Sequence, residues 1–195
     1  MKVLVLDHDG VCCLTSNQGT RFAEKGAAGT IDDEFDCFDK KAIKIINEII
    51  KVTDCEIVIS SDWKHFCTLT QMQDLYKIRG IIKGPIDFTA GAIGPHHKLF
   101  TSPSFSQGEQ IRCIEIQEWL SKHLDVTKWV AVDDMNLGLH FSYNTFQPSP
   151  KDFEKMELTP ENGYTWGLRN FVQCTNQNEG IKQSGIKEKI INFLK

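Results

Sequence analysis

Residues 2–11 read KVLVLDHDGV, and this stretch decides which fold is expected. The apolar run over residues 2–6 predicts a short buried β-strand, and the polar DHDG that follows predicts a tight turn. Because side chains alternate along an extended chain, Asp7 and Asp9 point to the same side. One carboxylate can then act as a nucleophile while the other transfers a proton. The same four residues are also compatible with a simple turn, since Asp and Gly favour turns.

Two later apolar runs end in polar pairs in the same way. One is followed by Ser60 and Ser61, and the other is followed by Asp133 and Asp134. Amphipathic segments that predict helices separate these runs, at residues 38–52, 69–78, 110–123 and 186–194. Alternating strands and helices indicate βαβ units and a mainly parallel sheet that is covered on both faces. In such a sheet the polar pairs meet at the carboxyl edge of the strands, where ligands bind.

The length and composition of the chain predict one domain. A length of 195 residues and an ordinary composition indicate a single globular domain over residues 1–195. The polar, glycine-containing residues 11–36 predict a small flap, and residues 84–108 predict a long loop with a strand near residues 86–88. Residues 138–167 are expected to be irregular, and residues 170–174 predict a last strand.

Composition excludes several classes of protein. A net charge of −4 argues against a protein that coats polyanions in general. No apolar run approaches the ~18 residues of a membrane-spanning helix, and Asp7 comes too early for a secretion signal. Seven cysteines, an odd number without a C-x-x-C pair, predict a reduced cytoplasmic protein with no structural zinc site.

The acidic residues predict a cation at the sheet edge. Carboxylates gathered at one place repel one another unless a cation lies between them. The oxygens of Asp7, Asp9, Asp133 and Asp134, with no His or Cys among them, favour Mg²⁺. A Mg²⁺ ion held by a few carboxylates is the usual companion of a phosphate group.

Three of these motifs, in this order, resemble those of the haloacid dehalogenase (HAD) superfamily of phosphatases. They lie at residues 3–11, 57–60 and 130–134. The closer resemblance is to the HAD domain of Swiss Army Knife RNA-repair proteins. It depends on SSDWK at residues 60–64, RCIEIQEWL at residues 112–120 and the tail at residues 170–181. The resemblance implies an α/β, HAD-like Rossmannoid three-layer sandwich with a mainly parallel sheet and only a small cap or flap.

The resemblance implies roles for the acidic residues. Asp7 would be the nucleophile that forms an aspartyl-phosphate. Asp9 would protonate the leaving oxygen and later activate water. The Asp7 carboxylate, the Asp9 backbone carbonyl and the pair Asp133 and Asp134 would hold Mg²⁺. Either member of that pair is a candidate for the direct ligand, with a slight preference for Asp134.

Further roles follow for polar and basic residues. Ser60 and the backbone N–H of Ser61 would hold the phosphoryl oxygens. The cation that offsets the phosphoryl charge is expected at Arg112, in the first turn of its helix, and Lys98 in the preceding loop is the alternative. A surface ion pair with the residue three positions later is the other interpretation of Arg112. Lys64 is expected either to contact a substrate phosphate or to lie at a solvated helix start.

Two ring-bearing residues near the motifs are expected to pack. Trp63 is expected to be buried, with stacking on a base as the alternative. His8 should point away from its two aspartate neighbours into the protein.

The expected function is that of a Mg²⁺-dependent phosphomonoesterase. Its expected substrate is a 3′- or 5′-phosphate on a nucleotide or a nucleic-acid end, because the segments available for a cap are short and leave the site open. One alternative is a phosphatase of a small non-nucleotide metabolite. The other is a non-catalytic binding module with the same fold, although Asp7, Asp9, Ser60, Asp133 and Asp134 are all present.

Overall fold

The computed structural model of the chain describes residues 1–14, 37–89, 106–138, 140–141 and 165–195. The strands are β1 (Lys2–Leu6), β2 (Glu56–Ile59), β3 (Asp87–Phe88), β4 (Lys128–Asp133), β5 (His140–Phe141), β6 (Thr165–Trp166) and β7 (Phe171–Gln173). The α-helices are α1 (Lys40–Thr53), α2 (Leu69–Ile78), α3 (Gln107–Lys122) and α4 (Ile186–Leu194). Single 3₁₀ turns lie at Asp62–His65 and Gly180–Lys182.

Five strands form a parallel sheet in the order β3-β2-β1-β4-β7, with β1 at its centre. In the register of this sheet, Leu6 lies opposite Ile59 of β2 and Val132 of β4. The residues that follow these three positions therefore emerge side by side at the carboxyl edge. The convergence of the polar pairs that the sequence predicted is confirmed.

The alternation of side chains along β1 divides the core into two layers. Leu4 and Leu6 pack with buried residues of α1, α2 and α4 on one face of the sheet. Val3 and Val5 pack with buried residues of α3 on the other face. The expected three-layer α/β architecture, with helices on both faces of a parallel sheet, is thus the observed one.

Most element boundaries agree with the sequence pattern, and α3 is the main exception. β1, β2, α2 and α4 have the expected bounds, but α3 begins at Gln107 instead of residue 110. The reason is a capping box: the Ser106 hydroxyl accepts the Glu109 N–H at 3.2 Å, and the Glu109 carboxylate accepts the Ser106 N–H at 2.6 Å. The S-x-x-E sequence was a readable signal for this earlier start.

Two stretches expected to be irregular contain regular structure. The predicted loop over residues 84–108 contains β3 and the beginning of α3, and the strand expected near residues 86–88 is confirmed as β3. The predicted irregular stretch over residues 138–167 contains the antiparallel pair β5 and β6. Such pairing joins segments that are far apart in the chain, so no local pattern reveals it.

Other expectations fall on parts of the chain that the structure leaves out. Residues 15–36 of the predicted flap and residues 90–105 of the predicted loop, with Lys98, lie outside the described residues. Among the described helices, none combines the length and the apolar content that crossing a membrane requires.

Candidate active site

The centre of the site is Asp7, which follows β1 directly. Its side chain is buried, and its backbone N–H donates to the carbonyl of Val132 at 3.0 Å. The next turn bends back through Gly10, whose φ of +69° lies in the left-handed region. A Cβ atom at Gly10 would lie 2.5 Å from Oδ2 of Asp134. Only glycine lets the turn approach Asp134 this closely.

Asp7, Asp133 and Asp134 form an acidic cluster at the end of β1 and β4. Each offers a carboxylate oxygen, and these oxygens all lie within 4.8 Å of one another. Burial raises the pKa of Asp7 to about 6, although the Arg112 charge opposes the shift. Burial and the charge of Asp7 raise the pKa of Asp133 well above its usual range. Burial disfavours the ionised form of these carboxylates, and a divalent cation bound by their oxygens would stabilise it.

Hydrogen bonds fix both members of the aspartate pair. Asp133 accepts the backbone N–H of Met135 at 2.9 Å. Asp134 accepts a hydrogen bond from the side chain of Gln177 at 2.5 Å. Both carboxylates thus have a hydrogen-bond donor that orients them, and both belong to the acidic cluster.

Arg112 joins the acidic cluster from the first turns of α3. Its Nη1 lies 3.1 Å from Oδ1 of Asp7 and 3.3 Å from Oδ2 of Asp133, and its Nη2 lies 3.1 Å from Oδ1 of Asp62. Nη1 also donates to the backbone carbonyl of Ser60. The side chain is 9% exposed, so the alternative of a surface pair with Glu115 is wrong. The structure places this guanidinium where an offsetting cation was expected.

Ser60 and Ser61 follow β2 at the same edge, and both are buried. The backbone N–H of Ser60 donates to the carbonyl of Leu6 at 3.0 Å, which continues the sheet pairing past the strand end. The Thr89 hydroxyl lies 3.4 Å from the Ser60 hydroxyl. The Ser61 side chain lies beside Asp7, where its hydrogen bonding lowers the pKa of that carboxyl against the effect of burial.

Lys64 lies in the 3₁₀ turn after β2, and its side chain is in a buried ion pair. Its Nζ is 2.5 Å from Oε2 of Glu115 and 3.3 Å from the Thr89 hydroxyl. The Lys64 and Glu115 side chains are only 4% and 6% exposed, respectively. Lys64 therefore sits in a buried ion pair. The expected solvated helix start is wrong, and contact of Lys64 with a substrate phosphate stays a prediction. Through Thr89, this pair supports Ser60.

Asp9 is held by Trp63. The indole Nε1–H donates to both carboxylate oxygens of Asp9, at 3.2 Å each. Trp63 has no exposed surface, so its burial is confirmed and stacking on a base is excluded. His8 is also fully buried, as expected, and its Nε2 lies 2.8 Å from the Tyr76 hydroxyl.

A cavity of about 360 Å³ adjoins the Arg112 side of the site. The 3₁₀ turn that follows Ser61 contributes Asp62 and His65 to its wall, and α3 contributes Ile111. Met135, which follows the aspartate pair, closes part of the same wall. The cavity offers a space of mixed polar and apolar character beside the guanidinium.

Several residues of the site were not found from the sequence. They are the partners that hold the predicted residues in place: Asp62, Thr89, Glu115 and Gln177. Asp62 follows the predicted serine pair directly, and this position was the one available signal for it. The other three lie far along the chain from the residues they hold, so their roles depend on the assembled fold.

The comparisons agree with the motif order. A family described as the HAD domain in Swiss Army Knife RNA repair proteins matches residues 3–163. The matched range contains the acidic cluster, the serine pair and Arg112, and it ends before β6. No curated protein and no solved structure matches the chain.

Proposed function

The chain belongs to the family of HAD domains found in Swiss Army Knife RNA repair proteins, and from this premise we propose that it is a Mg²⁺-dependent phosphomonoesterase. One observation carries the proposal. The buried carboxylate of Asp7 lies within 3.1 Å of a guanidinium and within 4.8 Å of two further carboxylates, at the edge where ligands bind. An anionic nucleophile that is to attack a phosphate needs such surroundings, because they offset the charge of both reactants.

In the proposed reaction, a carboxylate oxygen of Asp7 attacks the phosphorus atom and the ester P–O bond breaks. Asp9 gives its proton to the leaving alcohol oxygen, and an aspartyl-phosphate remains on Asp7. Asp9, now a carboxylate, removes a proton from water as the water oxygen attacks phosphorus. Inorganic phosphate leaves, and Asp7 and protonated Asp9 are regenerated.

The remaining residues of the site bind the phosphoryl group. Arg112 offsets its charge, and the hydroxyl of Ser60 and the backbone N–H of Ser61 hold its oxygens. The burial of both serines at the strand end beside Asp7 supports this assignment.

The acidic cluster would hold the metal. Asp7, Asp133 and Asp134 would supply carboxylate oxygens, and Asp9 would supply its backbone carbonyl. When bound, Mg²⁺ supplies positive charge that offsets the phosphoryl oxygens and the nucleophile. The raised pKa values of Asp7 and Asp133 support this fit, since both buried carboxylates gain from a neighbouring cation.

The proposed substrate is a 3′- or 5′-phosphate on a nucleotide or a nucleic-acid end. The membership in a family of RNA repair proteins supports this class of substrate. The negative net charge of the chain does not oppose it, because one terminal phosphate can be bound through the metal and Arg112 alone. A small metabolite phosphate is the other substrate class that the test must address.

The test is phosphate release with and without Mg²⁺ from a panel of esters. The panel contains 3′- and 5′-phosphorylated oligonucleotides, mononucleotides and sugar phosphates, and Asp7→Asn is the control. We expect Mg²⁺-dependent release from an oligonucleotide end or a nucleotide, and background release from a folded Asp7→Asn variant. Release from sugar phosphates alone would favour a metabolite phosphatase. No release by the folded wild-type protein, or full activity of Asp7→Asn, would overturn the proposal.

A further inference from the structure

We propose that Trp63 is a positioning residue, which holds the Asp9 carboxylate in place for its two proton transfers; this inference rests on the proposed function. The side chain comes from the 3₁₀ turn after β2, and Asp9 comes from the turn after β1. Trp63 thus connects the turn after β2 to the turn after β1.

The contact is a hydrogen bond shared between two acceptors. Nε1 of Trp63 lies 3.2 Å from Oδ1 and 3.2 Å from Oδ2 of Asp9. An indole N–H that is fully buried needs an acceptor, and the Asp9 carboxylate provides it. Since both oxygens lie at the same distance from the donor, rotation of the carboxylate away from Trp63 would weaken both contacts.

The indole itself is held by a buried cluster of rings. Its ring centre lies 4.6 Å from that of His8 and 5.6 Å from that of Phe38. His8 is fixed in turn by the Tyr76 hydroxyl, at 2.8 Å. His8, whose ring contacts Trp63, directly precedes Asp9 in the chain. The positions of the donor Nε1 of Trp63 and of the acceptor carboxylate of Asp9 therefore depend on the same turn.

This arrangement matters because Asp9 must act at two different oxygens. Its carboxyl group first reaches the leaving alcohol oxygen and then the attacking water. A carboxyl group on a turn, free to rotate, would spend time in orientations that reach neither. A displacement of about 1 Å in a catalytic group can cost roughly 100-fold in rate, so the loss of one fixed donor is measurable.

The kinetic test uses Trp63→Phe, which keeps an aromatic ring in the cluster and removes the N–H. Each variant is assayed with Mg²⁺ on p-nitrophenyl phosphate and on the alkyl phosphate that the wild-type protein hydrolyses best. For an enzyme with a covalent intermediate, kcat/KM reports the steps up to release of the alcohol. We expect Trp63→Phe to lower kcat/KM roughly 10- to 100-fold on the alkyl phosphate and less than about 3-fold on p-nitrophenyl phosphate, because a good leaving group needs little protonation.

Two controls separate positioning from a general loss of structure. Trp119→Phe removes a buried indole N–H that donates to the Asp87 carboxylate at 2.7 Å and does not contact Asp9, and we expect its kcat/KM to stay within about 2-fold of wild type on both esters. In an Asp9→Asn background, Trp63→Phe should have little further effect on the alkyl phosphate, since residues that act as a unit are not additive. Equal losses on both esters, or additive effects in the double variant, would overturn the role of Trp63.

A spectroscopic signature tests the contact without turnover. The chain has four tryptophans, so the Trp63 indole N–H signal can be identified by its loss in Trp63→Phe. We expect Asp9→Ala to shift that signal, because it removes a charged acceptor. A Trp63 signal that does not respond to Asp9→Ala would overturn the proposal. Failure of the wild-type protein on every phosphomonoester would instead overturn the proposed function, whether or not the signal shifts.

Discussion

At the residue scale, one guanidinium connects segments from four parts of the chain. Arg112 of α3 binds Asp7 after β1, Asp62 after β2 and Asp133 at the end of β4. Arginine suits this place because its planar fork carries several donors in fixed directions, whereas lysine offers one compact charge. Arg112 therefore contacts both Asp7 and Asp133 of the acidic cluster.

We predict that Arg112→Ala lowers kcat/KM at least ~30-fold, which corresponds to ~2 kcal/mol of lost transition-state stabilisation. The reason is the loss of the charge that offsets Asp7 and the phosphoryl group. Steady-state kinetics on the best phosphomonoester measures the effect. Lys98→Ala is the matched control and should cost little. If Lys98→Ala has the larger effect, the role of the cation belongs to Lys98.

At the scale of elements, the start of α3 sets where Arg112 lies. The capping box at Ser106 and Glu109 satisfies N–H groups that the first turn would otherwise leave without partners. Arg112 stands only a few residues beyond it. The helix start is thus a structural support for the site, although neither capping residue contacts the acidic cluster in the described structure.

We predict that Ser106→Ala lowers the free energy of unfolding by ~1 kcal/mol, the usual cost of a lost N-cap. Urea denaturation followed by circular dichroism measures the change. Ser121→Ala, near the other end of α3, is the control: that hydroxyl donates to the carbonyl of Glu118 on an exposed face. We expect ~0.5 kcal/mol or less there. Equal effects of the two changes would contradict the capping role.

A second contact between elements is the buried ion pair of Lys64 and Glu115, which joins the 3₁₀ turn after β2 to α3. We predict that Lys64→Met lowers the free energy of unfolding by ~3–5 kcal/mol, because it leaves a buried carboxylate without its partner. The double variant Lys64→Met, Glu115→Leu should recover most of that loss, since no uncompensated charge remains.

The control for this pair is Lys83→Met. Lys83, like Lys64, forms ion pairs, in this case with the carboxylates of Asp54 and Glu56. Its side chain, however, is 28% exposed. Pairs that water reaches contribute ~0–1 kcal/mol, so we expect a small effect in the same urea experiment. If both lysine substitutions cost the same, burial of the Lys64 pair is not what makes it important.

At the scale of the whole molecule, the sheet concentrates negative charge at one edge, and this concentration affects stability. The folded protein keeps the Asp7 proton up to a pKa of about 6, whereas the ordinary value is 3.8. Between these values the folded state binds more protons than the unfolded state, so this contribution to stability falls as pH rises through the window. The difference corresponds to ~3 kcal/mol.

We therefore predict that Asp7→Asn becomes more stable relative to wild type as pH rises from about 4 to about 6.5 in the absence of metal. Thermal unfolding of both proteins in a chelating buffer measures the difference in Tm across this range. Adding Mg²⁺ at pH 7 should raise the wild-type Tm more than that of Asp7→Asn, because ligand binding to the folded state stabilises it. A Tm difference that does not change with pH would contradict the prediction.

Features that depend on neighbouring residues were predictable from the sequence, whereas contacts between distant residues were not. The strand ends and their meeting at one edge were predictable, because apolar periodicity is local and parallel sheets align their carboxyl ends. Arg112 was correctly placed near the cluster, but its helical neighbour Glu115 was not its partner. The solvated position expected for Lys64 was wrong, since nothing in the residues around it indicates a buried carboxylate 51 residues away.

The sequence by itself determined the α/β class, the order of the motifs and the edge at which Asp7, Ser60 and Asp133 gather. These features depend on side-chain period and on turn residues, which act over a few positions. Only the tertiary structure decided which side chains touch there. The contact between Arg112 and Asp7 spans 105 residues, and the contact between Trp63 and Asp9 spans 54. Such contacts arise from packing three layers together, and packing depends on the volume and shape of the whole core.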